Sequence, residues 1–218
     1  MRITLPSDTP VELARPTSGS PDRGLVVAAD IGGLRPLFDD MARRLADEQG
    51  WVVGVVEPFP GLAHLAIEER TKDAGGVADD RRVGDLVAGA DALDVEPVGL
   101  IGFCMGGMYT LKAAATGRFD RCVAFYGMIR VPENWQGPGQ GEPLDALEKR
   151  GDTDVMAIIG TADRFTPPDD VDALEAQGVT VVRYEGAEHG FVHDPARPAH
   201  RPDDAADAWR RAIDFLRH

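Results

Sequence analysis

Six short apolar runs recur along the chain: "LVVAAD" (25–30), "WVVGVV" (51–56), "VGLIGF" (98–103), "CVAFYG" (122–127), "VMAIIG" (155–160) and "VTVVRYEG" (179–186). Most are nearly continuous rather than alternating, which is the pattern of strands buried on both faces of a parallel sheet. Amphipathic stretches separate several of them. Leu37, Phe38, Met41 and Leu45 recur at helical spacing, and Gly50 stands where a C-cap belongs. Residues 85–93 and 171–177 fit shorter helices. Residues 205–216 fit a closing helix with Ala208, Trp209, Ala212, Ile213 and Leu216 on its inner face. Strands alternating with helices imply right-handed crossovers and helices on both faces. The opening "RITL" and "VELAR" can pair as an antiparallel hairpin at the edge. The expected fold is therefore α/β, a mostly parallel open sheet in one domain over residues 1–218. The Pro- and Gly-rich stretches 15–24, 137–143 and 193–204 read as loops too short to divide it.

Charge narrows the function. With 23 Lys and Arg against 37 Asp and Glu, the net charge is −14, spread along the chain. Nucleic acid and anionic membranes call for a basic face, so neither is an expected partner. No run approaches the ~20 apolar residues of a membrane span, and the first residues lack the apolar segment of a secretory signal. Cys104 and Cys122 form neither a metal-type spacing nor a disulfide framework. A reducing, cytoplasmic setting is expected. The acid pairs Asp79–Asp80, Asp169–Asp170 and Asp203–Asp204 invite a metal reading. Each precedes a helical stretch, where capping and the helix dipole explain them better.

One cysteine stands in an unusual place. In "PVGLIGFCMGGMYT" (97–110), Cys104 follows a buried strand, precedes a helix beginning near Gly106, and has Gly102 and Gly106 two positions away on each side. A strand-to-helix turn this sharp needs small neighbours and lifts its central side chain above the carboxyl edge of the sheet. This is the pattern G-x-S-x-G with cysteine for serine. The helix N-terminus favours a thiolate there, and the Met105 N–H would point at a developing oxyanion. The plainer alternative is a buried structural cysteine beside a glycine turn. Two downstream residues weigh against it. "GTADRFTP" puts Asp163 just past one strand, and "GAEHGFVHD" puts His189 just past the next. Nucleophile, acid, histidine is the chain order of α/β-hydrolases. In that scheme Asp163 orients the His189 ring, and His189 moves protons between sulfur, leaving group and water. His189 and His193 also have a zinc spacing, but Gly190 and the Pro-rich loop oppose the helix it needs, and no third ligand is placed.

Together, "GFCMGG" (102–107), "FYG" (125–127), "GTADRFTP" (160–167), "GAEHGF" (186–191) and the closing "DDAADAWRRAIDFL" (203–216) resemble the dienelactone hydrolase family, a cysteine branch of the α/β-hydrolases. The resemblance runs over nearly the whole length. It implies the α/β-hydrolase fold, with Cys104 as nucleophile, Asp163 as orienting acid and His189 as base. The family also has a segment after an early strand whose acid contacts the resting cysteine and whose next N–H completes the oxyanion hole. In "ADIGGL" these places fall to Asp30 and Ile31. Aspartate is one methylene shorter than the family's glutamate, so Asp30 is read either as a modulator of Cys104 or as an acid capping its strand end. Family members that take dienelactone bind its carboxylate with two arginines. One lies four residues after the catalytic histidine, where this chain has His193. The other has no clear match, Arg70 being only near the expected stretch. Met128 and Trp135 are read as substrate-pocket residues or as ordinary loop contacts.

The expectation is a cofactor-free hydrolase of a small ester or lactone, working through an acyl-cysteine on Cys104. Its rivals are a general carboxylesterase or thioesterase of the same fold and a non-catalytic small-molecule binding protein. Oligomeric state is left open.

Overall fold

The computed structural model of the chain describes residues 1–62 and 64–218. Its elements in order are β1 (Arg2–Thr4), β2 (Pro10–Ala14), β3 (Gly24–Ala28), α1 (Pro36–Gln49), β4 (Val52–Val56), α2 (Ile67–Asp73), α3 (Asp79–Asp91), β5 (Val98–Phe103), α4 (Met105–Ala113), β6 (Arg121–Phe125), α5 (Pro143–Leu147), β7 (Asp154–Gly160), α6 (Pro168–Ala176), β8 (Thr180–Tyr184) and α7 (Pro202–Arg217). The eight strands form one sheet in the order β1-β2-β4-β3-β5-β6-β7-β8. The opening hairpin joins antiparallel, β1 to β2 and β2 to β4; every other pairing is parallel. The expected α/β-hydrolase architecture is the one observed.

The apolar runs are continuous because both faces of the sheet are covered. Alternate residues of β3 enter opposite cores. Leu25 and Val27 pack with Phe38, Met41 and Leu45 of α1 and with Ala208, Ala212 and Leu216 of α7. Val26 and Ala28 belong to the opposite core, which also holds Leu86 of α3, Met108 and Leu111 of α4 and, further along the sheet, Leu174 of α6. At the edge, β8 buries only Tyr184. Gly50 ends α1 in the left-handed conformation, φ 74°, with its N–H on Ala46 O.

The chain steps from β3 out to β4, then crosses back to β5 on the other side of β3. The order reverses there, and a crevice opens at the carboxyl ends of the strands around such a switch point. Two features depart from the sequence reading. The short helices α2 and α5 were not anticipated, and α5 lies partly in the stretch read as loop. The acid pairs sit inside the first turns of α3, α6 and α7 rather than before them, and none makes a side-chain cap hydrogen bond. Favourable dipole placement survives, while several of these carboxylates bond elsewhere, such as Asp79 to Lys112 Nζ at 2.7 Å. Among the described residues no group of acids, histidines and cysteines could hold a metal, and no helix is long and apolar enough to cross a membrane.

Candidate active site

The turn from β5 into α4 is a strained elbow. Cys104 has φ 56° and ψ −116°, a backbone state that costs a non-glycine residue on the order of 1–3 kcal/mol. Packing holds it there. A Cβ on Gly102 would lie 2.2 Å from the Gly106 carbonyl oxygen, and one on Gly106 would lie 2.1 Å from that of Ala28. Both contacts are against backbone, so no side chain can move away to relieve them. The Cys104 N–H donates to Phe125 O at 3.1 Å, and its carbonyl accepts from Met108 N at 3.0 Å. Met105 is the first residue of α4, so its N–H belongs to the first-turn donors that no helix bond satisfies.

The loops after β7 and β8 bring the acid and the histidine together. They touch closely at Gly160, where a Cβ would lie 2.2 Å from Ala187 O. His189 Nδ1 donates to Asp163 Oδ2 at 2.7 Å. The other oxygen of Asp163 accepts from Phe165 N at 2.9 Å, so the buried carboxylate is held at both ends. The His189 ring packs edge-on against Tyr126 and Phe165, with centroids 5.2 and 4.9 Å away. Its Nε2 is buried and makes no hydrogen bond among the described residues. Burial by itself would lower the pKa of this ring. The bond to Asp163 and the neighbouring Cys104 outweigh it, and the value rises to about 9.

Asp30 and Ile31 follow β3 on the other side of the elbow. Asp30 is buried, and both its oxygens are occupied. Oδ1 accepts from Gly32 N at 2.9 Å and Arg35 Nη1 at 2.6 Å. Oδ2 accepts from Arg35 Nη2 at 2.8 Å and from His193 Nε2 at 2.9 Å. No hydrogen bond joins Asp30 to Cys104 among the described residues. Burial would raise the pKa of this acid, but the bonds from His193 and Arg35 prevail and hold it well below the usual carboxylate range. The Ile31 N–H has no acceptor among the described residues. The Ile31 carbonyl accepts from Arg70 Nη1 at 3.4 Å.

These residues edge a cleft of about 630 Å³, a size suited to a small-molecule ligand. Asp30, Ile31, Cys104 and His189 line it, as do Met128 and Trp135. His193 and Arg70, the positions compared above with the substrate arginines, do not. Both are buried and committed to other partners, Arg70 to Glu57 at 3.6 Å. Two arginines that sequence reasoning passed over stand in the wall instead: Arg164, next to Asp163, and Arg197, in the Pro-rich loop. Neither guanidinium makes a hydrogen bond or ion pair among the described residues; Arg164 only stacks on Phe165 at 4.8 Å. Adjacency to Asp163 was a usable signal for Arg164. Arg197 offered none, since only the folding of its loop turns it inward.

Elbow, sheet and crevice define an α/β-hydrolase. The sequence profile of the dienelactone hydrolase family matches residues 10–218. A carboxymethylenebutenolidase of Rhodococcus opacus is 28% identical, the match covering 97% of this chain and 87% of that protein. A Synechocystis protein described as a candidate carboxymethylenebutenolidase is also 28% identical, over 91% of this chain and 87% of its own. The crystal structure of a candidate dienelactone hydrolase from Klebsiella pneumoniae superposes with a TM-score of 0.86 at 25% identity, covering 100% of this chain and 98% of that one. The chain belongs to the dienelactone hydrolase family of ester hydrolases.

Proposed function

We propose that the chain opens a small lactone, or cleaves a small ester, that carries an acidic group, with Cys104 as nucleophile. The supporting observation is the Asp163–His189 pair, whose one unpartnered ring nitrogen is buried in the same cleft as the strained Cys104. With its pKa near 9, the ring is charged at neutral pH, which favours an imidazolium beside a thiolate. The thiolate attacks the carbonyl carbon, and the electrons move onto oxygen, where the N–H groups of Ile31 and Met105 receive them. Collapse breaks the C–O bond, and the departing oxygen takes the proton from His189. The sulfur is then a neutral thioester, so the thiolate no longer holds the ring pKa up. His189 Nε2 can now take a proton from water as the water attacks the thioester. The second collapse expels the Cys104 thiolate. One water has been added across one C–O bond.

The acidic substrate follows from Arg164 and Arg197. Among the described residues every other guanidinium has an acceptor, whereas these two line the cleft without one, and a carboxylate supplies what they lack. This substrate class agrees with the name of the Rhodococcus relative. A cytoplasmic setting is part of the proposal. The test compares lactones and aryl esters with and without a carboxylate, with mass spectrometry of the trapped intermediate. An acyl adduct on Cys104 and a preference for acidic substrates are expected. An adduct with no such preference favours a general esterase, and no adduct from any activated ester removes the nucleophile assignment.

A further inference from the structure

His193 is a buried imidazole that the proposed reaction does not use. It stacks on Phe103 at 4.8 Å and Phe38 at 5.9 Å, with no exposed side-chain surface. Both ring nitrogens are nonetheless engaged. Nε2 bonds Asp30 Oδ2 at 2.9 Å, and Nδ1 bonds the Tyr126 hydroxyl. Asp30 is charged and only accepts, so Nε2 must carry the proton and Nδ1 must accept from Tyr126. Protonating the ring would place a positive charge inside an aromatic enclosure with no exposed side-chain surface. Burial accordingly lowers the pKa of His193, despite the adjacent carboxylate. The ring is therefore held neutral in one tautomer.

What this neutral donor holds is the turn after β3. Asp30 Oδ1 accepts from Gly32 N, and Asp30 O accepts from Gly33 N at 2.9 Å. The Ile31 peptide lies between these bonds, with its N–H left over. We propose that His193 is a positioning residue for this N–H: through Asp30 it fixes the turn that presents the Ile31 amide to the oxyanion, and Tyr126 fixes which nitrogen of His193 does so. The loop carrying the general base thus also holds the oxyanion donor across the cleft. This rests on the hydrolase reading above, with Ile31 as donor.

The test uses two reactions of one thiol. Acylation of Cys104 by p-nitrophenyl acetate passes through an oxyanion. Alkylation of the same sulfur by iodoacetamide does not. Both rates are measured per titrated Cys104, so loss of folded protein cancels. Removing one oxyanion donor costs about 10²–10³ in rate, and misplacing it costs part of that. His193→Phe and His193→Asn, which lack a donor at the Nε2 position, should slow acylation about tenfold or more while alkylation stays nearly level. His193→Gln places an N–H near that position and should restore most of the acylation rate. Unchanged acylation in His193→Phe would overturn the inference. So would a parallel fall in both reactions, which would put the effect on the sulfur and His189 instead. A wild-type protein no more readily acylated than Cys104→Ala would overturn the hydrolase reading itself, and this inference with it.

Discussion

One loop carries two histidines four residues apart, each bonded to a buried aspartate, and they end in opposite states. His189 meets Asp163 through Nδ1 and keeps a bare Nε2 in the cleft; its pKa is raised to about 9. His193 meets Asp30 through Nε2 and spends Nδ1 on Tyr126; its pKa is lowered. A carboxylate partner alone therefore does not make a proton-transfer group. The difference lies in the surroundings: Cys104 beside His189 helps to raise it, whereas burial, with Arg35 and Arg197 near, lowers His193, whose second nitrogen is closed by a hydroxyl. The first arrangement suits moving protons, and the second suits holding a shape.

The sharpest way to break this contrast is to remove the open ring. His189→Ala is expected to lower kcat/KM by about 10³-fold or more, with little further loss in His189→Ala/Asp163→Asn, because members of one unit do not contribute additively. Steady-state kinetics on an aryl ester measures it. Losses that multiply would mean that the two residues act separately.

Next in size is Asp163→Asn. Asp163 is one cause of the raised pKa of His189. In the proposed reaction the charged ring donates the proton to the leaving group, so activity should fall as pH rises through about 9 in the wild type. The asparagine variant should lose about 10²-fold or more, and its alkaline limb should move toward neutral pH. Stability has the same sign. The folded value lies above the ordinary 6.5, so the charged ring stabilises the fold below that pH, and this contribution disappears as pH rises through about 9. A limb that stays in place would detach Asp163 from the ring it bonds.

How much of this was legible in the sequence depended on whether a residue's role is set locally. The strands were legible because cover on both faces demands unbroken apolar runs. The elbow was legible because backbone crowding at Gly102 and Gly106 excludes other residues. The meeting of Asp163 and His189 was legible because each follows its own strand. Helices α2 and α5, at 7 and 5 residues, are too short for a period to show, and tertiary packing sustains them. The Asp30–His193 bond joins residues 163 apart. No local pattern announces it; β5, β6 and β7 separate β3 from β8, and the bond exists because the loop after β8 runs back to stack His193 on Phe103 at the end of β5, beside β3. The unpaired state of Arg164 and Arg197 is likewise a property of the fold, since a guanidinium can be called unpaired only once its neighbours are placed.

A smaller effect is expected from those two arginines, which lie in the wall near the open histidine and contribute charge without chemistry. Arg164→Ala and Arg197→Ala should each reduce kcat/KM about tenfold for a carboxylate-bearing ester, mostly through KM, and leave a neutral ester of the same size nearly unaffected. Equal losses on both substrates would assign them to the shape of the cleft rather than to its charge.

The smallest expected effect bears on the closed pair. Asp30 stands where the family resemblance puts an acid against the resting thiol. A carboxylate close to a thiol raises its pKa, since both would then be anionic, and slows its alkylation at neutral pH. Here the four strong contacts to Asp30 come from Gly32, Arg35 and His193, and two of them form a bidentate pair with one guanidinium. That pairing neutralises most of the field Asp30 would otherwise exert on the sulfur. Asp30→Asn should therefore leave the iodoacetamide labelling rate of Cys104 within about threefold of wild type across neutral pH. Acylation of the same thiol should slow, because the turn carrying Ile31 loses its charged anchor. Labelling that speeds tenfold or more in Asp30→Asn would show that the carboxylate restrains the thiol directly. The two Asp–His pairs would then both act on the sulfur, and the division between a proton-moving pair and a shape-holding pair would fail.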